Sequence, residues 1–476
     1  MEKYMADPKY KVLFERRNQM LKKNEELYNL TRDSYIGGSA YNPSKYLIKN
    51  NTELEPQAVY NFRCELASYS NHVEPLLNII IGAVYKQPPD RSNVPEFLSY
   101  VEKDIYKGKG IDLFMLNIAL QSQLYPVAIL IDSPKLSSPL TRAERILYNL
   151  NPYAVVYKYN EIRDFSIDTK GELLWILLDN TYIDNSDPMK EETEIVTYTL
   201  WTKTQAISFT KVMNGTDKEY TVRVDTVDHN LGIVPIVLSG FNNLDNDSLQ
   251  SSPFQNIALS SKKIYNVGSM IDCSLFNGTF QLLVYPGKAP DALVGSYGSV
   301  AIIEFQADSS ITPQFIKSGL DEIEPYITEI KRQEKSIYHQ LGFKDPESEA
   351  VQYDSGKMKT VEFALKTQNI LHNIAINLQF IENSIYKICA KYDQEDIDPK
   401  IIYDTKFTEE NITEIKTDLD ELFKIYPYEN LRKETAKVRS KLTLADKIDD
   451  NTLDTIYKDI DSTEIQEATT VTTIQE

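Results

Sequence analysis

The sequence predicts an α+β chain in which long helices bracket two blocks of strands. Three observations predict it. Residues 150–240 hold short β-type runs separated by turn clusters such as Asp184-Asn185-Ser186-Asp187-Pro188 and Asn214-Gly215. Residues 253–277 and 358–391 hold long helical patterns with few breakers. Hydrophobic residues at 42% and charged residues at 25% describe a folded chain with a real core. Its 476 residues correspond to about three average domains.

Taken in order, residues 1–50 read as a charged helix and then a loop, with turn chemistry at Gly37-Gly38-Ser39 and Asn42-Pro43-Ser44. One helical pattern runs from about Pro56 to Lys86 and stops at Pro88-Pro89, which cannot continue a helix. A second covers Ile111 to Leu124, and the apolar run Pro126–Asp132 reads as a buried strand. The runs AVVYKY, ELLWILLD, EIVTYTLWT, AISFTKV, YTVRVDTV and VPIVLSG then read as an antiparallel meander. After Ser252-Pro253 the helical pattern returns to about Asn277, nearly 40 Å of helix at ~1.5 Å per residue. Its apolar residues Phe254, Ile257, Ile264, Tyr265, Ile271, Leu275 and Phe276 wrap most of the way round, as in a helix buried among others.

Residues 278–318 read as strands and Asp321–Leu341 as helix, with a polar, acidic loop at 342–356. In the helix that follows, Leu371, Ile374, Leu378, Ile381, Ile385 and Ile388 step by three and four, a single apolar seam. Residues 396–460 read as mostly helical, and the Thr-rich stretch from about Asp461 as a frayed tail.

The chain carries 51 basic and 70 acidic residues, a net charge of −19. That excludes a basic, phosphate-neutralising DNA binder. It leaves open a protein that DNA must slide past. Cys64, Cys273 and Cys389 are few and far apart, the usage of a reducing compartment without a disulfide framework. The charged N-terminus lacks a signal-peptide pattern, and the longest apolar run, Leu76–Tyr85, is about half of what a membrane helix needs, so a soluble protein is expected.

Catalytic motifs are not found. The nearest approach to a phosphate-binding loop, Ser355-Gly356-Lys357-Met358, has Met where Ser or Thr is required and Val351 where the first Gly is required. His72, His229, His339 and His372 are scattered, without metal-ligand spacing, and no nucleophile elbow is present. Carboxylate pairs such as Glu409-Glu410 and Asp449-Asp450 read as solvated surface charge. No catalytic residue, metal ligand or cofactor is expected. Lys331, Arg332 and Lys335 form a basic spot on one helix. It could contact phosphate, or it could pair with Glu329 and Glu334.

The order of parts resembles the portal proteins of tailed bacteriophages. Residues Tyr60–Pro89, ending Gly82-Ala83-Val84-Tyr85-Lys86-Gln87-Pro88-Pro89, look like that family's N-terminal amphipathic helix. Leu124–Pro134 looks like its helix-to-strand step, with Tyr125-Pro126 where a Gly often stands. Arg145–Asp164 looks like the following Pro-Tyr strand, and His229–Gly240 like a recurring Leu-Gly-x-x-Pro strand entry. Ser252–Gly287 looks like the stem helix running into the clip, and Ser355-Gly356-Lys357 with the helix behind it like the tunnel loop. The resemblance covers about residues 55–390.

The resemblance implies a wing at 1–250, a first stem helix at 251–277, a clip at 278–319 and a second stem helix at 320–341. A tunnel loop at 342–357, a long wing helix at 358–391 and a crown with C-terminal tail at 392–476 follow. It implies a homo-oligomeric ring, typically of twelve subunits, at one vertex of the capsid in the virion, assembled in the host cytoplasm. Double-stranded DNA passes through it in packaging and ejection, without sequence-specific contacts. Its implied partners are the terminase motor, the head–tail adaptor and the major capsid protein, with no membrane. On that implied layout Lys331, Arg332, Lys335, Lys344, Tyr353, Lys357 and Lys359 are channel candidates, and Lys288, Asp291 and Tyr297 are clip candidates for partner docking. The competing expectations are another ring-forming connector, a shell protein, or a metal-dependent nuclease built on acidic pairs.

Overall fold

A computed structural model describes residues 8–49, 55–134, 150–189, 191–213, 220–240, 252–279, 282–286, 301–305, 314–316, 323–343, 356–405 and 450–462, with isolated positions between 433 and 440. The chain divides into two compact units, Met1–Phe407 and Thr408–Glu476. The class is α+β, as the sequence predicts. In the second unit the described helix is Asp450–Ser462, in which Leu453 is buried.

The first unit opens with helices α1 (Pro8–Glu15), α2 (Gln19–Ile36), α3 (Pro43–Tyr46), α4 (Gln57–Leu66), α5 (Val73–Val84), α6 (Tyr100–Lys103) and α7 (Ile111–Leu124). Asn18 starts α2: its side-chain oxygen accepts from the Met20 and Leu21 N–H groups at 3.0 and 3.2 Å. The single helix expected over Pro56–Lys86 is two, broken at residues 67–72. The break has a local and a tertiary cause. Asn71 accepts from the Val73 and Glu74 N–H groups and so restarts the helix. Tyr69 leaves the helical path to stack on Tyr41 at 3.7 Å between centroids, with its hydroxyl donating to the Ser34 carbonyl.

Strand β1 (Val127–Asp132) is apolar on both faces and buried through its first five residues. It is the centre of a three-stranded antiparallel sheet, between β2 (Tyr153–Lys158) and β10 (Ile236–Ser239). The first and last runs of the expected meander therefore leave it. A strand with two apolar faces needs a partner on each edge and cover above and below, and β2 and β10 supply the edges.

The remaining runs form a five-stranded antiparallel sheet in the order β3 (Ile162–Ile167), β4 (Leu173–Asp179), β7 (Thr197–Thr202), β8 (Gln205–Met213), β9 (Tyr220–Asp228). β5 (Tyr182–Asp184) and β6 (Thr193–Ile195) make a separate hairpin. Helix α1 covers the sheet: Tyr10 and Phe14 share a small core with Leu177, Tyr198, Phe209 and Val222.

Helix α8 (Pro253–Thr279) leads into three short strands, β11 (Leu282–Pro286), β12 (Ala301–Phe305) and β13 (Gln314–Ile316). β11 pairs in parallel with β12 and antiparallel with β13. Helix α9 (Glu324–Leu341) and the 37-residue α10 (Gly356–Tyr392) follow. The seam predicted for α10 is buried along its whole length, from Leu371 at 6% exposure to Leu378, Ile381 and Ile385 at 0%. It packs against α5, α7, β1 and β10, so α10 is the spine of the main core.

One charged cluster lies inside that core. Arg91 donates to Glu382 on α10 and bridges to Asp112, while the Tyr403 hydroxyl donates to the other oxygen of Glu382. Burial pushes the Glu382 carboxyl up, against the pull of Arg91 and Tyr403.

Candidate functional site

Helices α8 and α9, which flank the β11–β13 insertion in sequence, pack side by side, and α9 holds the predicted basic spot. Proline at the start of α9 needs no N–H there. Its other end closes on Gly342, left-handed at φ 78°, with the Phe343 N–H reaching back to the Tyr338 carbonyl at 2.8 Å.

The first two-thirds of α8 are set into the unit by specific polar contacts. Asn266 donates to the Tyr46 carbonyl at 3.1 Å and accepts from the Ile48 N–H at 2.7 Å. Arg63, buried, bridges to Glu55 at 2.6 Å and donates to the Ser269 hydroxyl at 2.9 Å. Tyr265 sits edge-on to Tyr41 at 5.2 Å. Phe254, Ile257, Ile264 and Tyr265 are buried as expected. The last turns differ. Ile271 is half-buried, and Leu275 and Phe276 are 49% and 43% exposed. There Phe276 meets Phe62 at 4.7 Å.

The charges on α9 are organised by Glu329. Arg332 donates to both of its oxygens, at 2.7 and 2.8 Å, Gln333 donates at 2.8 Å, and Lys263 of α8 reaches it at 2.5 Å. Hydrogen bonds from Arg332, Lys263 and Gln333 hold its carboxyl far below the usual range. Of the two readings for the basic spot, Arg332 therefore follows the pairing one. Lys331 and Lys335 lie on the same helix, exposed. Glu324, Glu329 and Glu334 balance Lys331, Arg332 and Lys335, so α9 carries no net charge with His339 neutral.

Helix α10 meets α9 at its C-terminus. Lys366 donates to the His339 carbonyl at 2.8 Å, and Thr367 to the Leu341 carbonyl at 2.7 Å. A cation and a hydroxyl thus satisfy carbonyls that a helix end leaves unpaired. Gly356 is ten residues before Lys366, so α10 continues ~15 Å N-terminal to this joint. Lys357 and Lys359 fall on that helical stretch. Lys344 and Tyr353 of the channel candidates, and Lys288, Asp291 and Tyr297 of the clip candidates, lie outside the described residues.

No family model matches the sequence, and no curated protein matches it. Among solved structures, a chain of "Virion of native gene transfer agent (GTA) particle" aligns over 81% of this chain and 89% of its own length, at 11% identity and a TM-score of 0.36. A score that low carries no argument about the role of this chain.

Sequence reading missed Lys263, Lys366 and the Arg91–Glu382–Tyr403 cluster. For Glu382 a signal was present: it follows Ile381 within the apolar seam, where a carboxylate needs a buried partner. For Lys263 and Lys366 there was none, because each acts on a residue of another helix. Among the described residues, no helix is long and apolar enough to cross a membrane.

Proposed function

We propose that this chain is the subunit of a portal-type ring through which double-stranded DNA passes. The observation that carries the reading is the α8–α9 pair around the small β11–β13 sheet, with α8 fixed in the unit through Asn266 and Arg63. Leu275 and Phe276 are large apolar side chains on a long helix, and a neighbouring subunit would bury them. A closed ring uses two different patches per subunit, related by a rotation that closes. In this reading α8 and α9 form the stem, β11–β13 the clip, and α10 the helix behind the tunnel loop.

DNA transport needs a lining that positions without gripping, because each tight phosphate contact acts as a brake. The net charge of −19 suits that task. So does the pairing on α9, where Glu329 occupies Arg332 while Lys335 is exposed. Lys357 and Lys359 would add sparse charge at the start of α10. The subunit does no catalysis in this reading. A packaging motor, a head–tail adaptor and the capsid shell are its partners, and the virion is its place.

Electron microscopy of the purified protein tests the proposal. Rings with rotational symmetry and a hole of about 30–40 Å are expected, since a ~20 Å duplex must pass. Single chains or closed shells under all assembly conditions overturn it.

A further inference from the structure

The two edges of the five-stranded sheet differ. β3 is bent by register shifts between Ile162 and Asp164 and between Ser166 and Ile167. The Asn18 N–H also donates to the Arg163 carbonyl at 2.6 Å, so the chain itself occupies part of that rim. β9 is regular. All nine of its residues pair with β8 in unbroken antiparallel register, and among the described residues no strand lies on its outer side. Proteins guard such edges with bulges, cover or charge. β9 has only charge.

That charge is arranged in a particular way. The four central residues, 223–226, are all exposed. Arg223 and Asp225 point to the same face, two residues apart, and bridge at 2.8 Å. Laid antiparallel against an identical strand about a two-fold axis at Val224, Arg223 falls opposite the partner's Asp225, and Asp225 opposite the partner's Arg223. The four charges then alternate in sign around a square. Exposed Val224 meets its own copy, and Val222 meets Thr226. Centring the axis on Arg223 or on Asp225 sets like charges opposite each other, which disfavours those registers. The charges that repel an arbitrary strand select this one.

We propose that β9 is a self-association edge, on which a second copy of this chain adds its own β9 antiparallel and extends the sheet from five strands to ten. The contact is isologous and does not rest on the ring reading. It joins two chains if the protein is a single chain, and two rings if it assembles into rings.

Sedimentation velocity of the full chain over a concentration series tests this, with wild type, Arg223→Asp, Asp225→Arg and the double reversal. The sedimenting unit, chain or ring, is expected to double in mass as concentration rises. Each single reversal puts two like-charge pairs across the axis and is expected to raise the midpoint concentration about tenfold. The double reversal restores the wild-type midpoint. Both side chains are exposed, at 70% and 52%, so their reversal leaves the fold intact. Independently, Val224→Cys is expected to crosslink under mild oxidation, because opposed residues lie within disulfide reach. Absence of doubling, single reversals that associate like wild type, a double reversal that fails to recover, or no crosslink through position 224 overturns the proposal.

Discussion

Arg91 and Glu382 stand 291 residues apart in sequence and 2.6 Å apart in the fold, and Glu382 is wholly buried. Tyr403 closes the same carboxylate from its other side. This cluster fastens α10 to the segment after α5 and to the chain near residue 403, where Asp90 and Ile402 also exchange backbone hydrogen bonds. Removing one member of a buried pair strands the other charge. Glu382→Ala is therefore expected to cost about 3–5 kcal/mol, and Tyr403→Phe about 1.5–3 kcal/mol. Urea unfolding of the purified variants measures both.

Asp33 gives the acid side of the stability profile a specific source. Burial opposes its ionisation, but hydrogen bonds from Lys45, Tyr46 and Arg32 outweigh burial and hold the carboxyl below its ordinary value of 3.8. A depressed carboxylate stabilises the fold above its unfolded value, and the contribution is lost as pH falls through the folded value. Stability is expected to drop below about pH 4, and Asp33→Asn to be less stable at neutral pH with a flatter acid limb. Thermal melts at stepped pH read this directly.

The seam of α10 predicts a sharp contrast between near neighbours. Leu378 is fully buried and Phe380, two residues on, is 55% exposed. Leu378→Ala is expected to cost about 2–5 kcal/mol through the cavity it leaves. Phe380→Ala stays within about 0.5 kcal/mol. Equal losses at both positions in denaturant titrations contradict the seam.

Gly110 opens α7 at a point where the backbone passes the end of α6. A Cβ there would lie 1.9 Å from the Glu102 carbonyl oxygen, and backbone cannot rotate away. Gly110→Ala is expected to destabilise by at least about 1–3 kcal/mol. Gly108, with open space around it, carries only the strain of its positive φ of 78°. Calorimetry of the two variants separates close approach from backbone strain.

Under the ring reading, Lys335→Ala is expected to weaken the association of assembled rings with short duplex DNA and to lower its salt dependence. Arg332→Ala changes it less, because Glu329 already holds that guanidinium. Filter binding across a salt series compares them, and equal effects contradict the assignment.

Periodicity made most elements legible. Ile111–Leu124 is the helix that the spacing predicts, and the α10 seam is buried residue for residue, because a stripe that recurs at helical spacing can be hidden on one side only. The break between α4 and α5 was not legible. Asn71 offers a local cap, but the other cause is Tyr69 docking on Tyr41, a partner that local sequence does not name. The basic spot and its pairing with Glu329 were legible as one of two readings, yet the share of Lys263 in that pairing was not, since it reaches Glu329 from another helix.

The sequence by itself determined the class, the long helices, the strand-rich middle and the acidic balance, all of which follow from the spacing and count of residue types along the chain. Tertiary structure alone decided which strands share a sheet, drawing β2 and β10 away to flank the doubly apolar β1. It also decided that Glu382 meets Arg91 and Tyr403, and that Glu329 meets Lys263. The Glu382 and β1 pairings depend on burial, which makes an unpartnered charge or strand edge costly, and the Glu329 pairing on the side-by-side packing of two helices; both are properties of the packed chain rather than of any stretch of it.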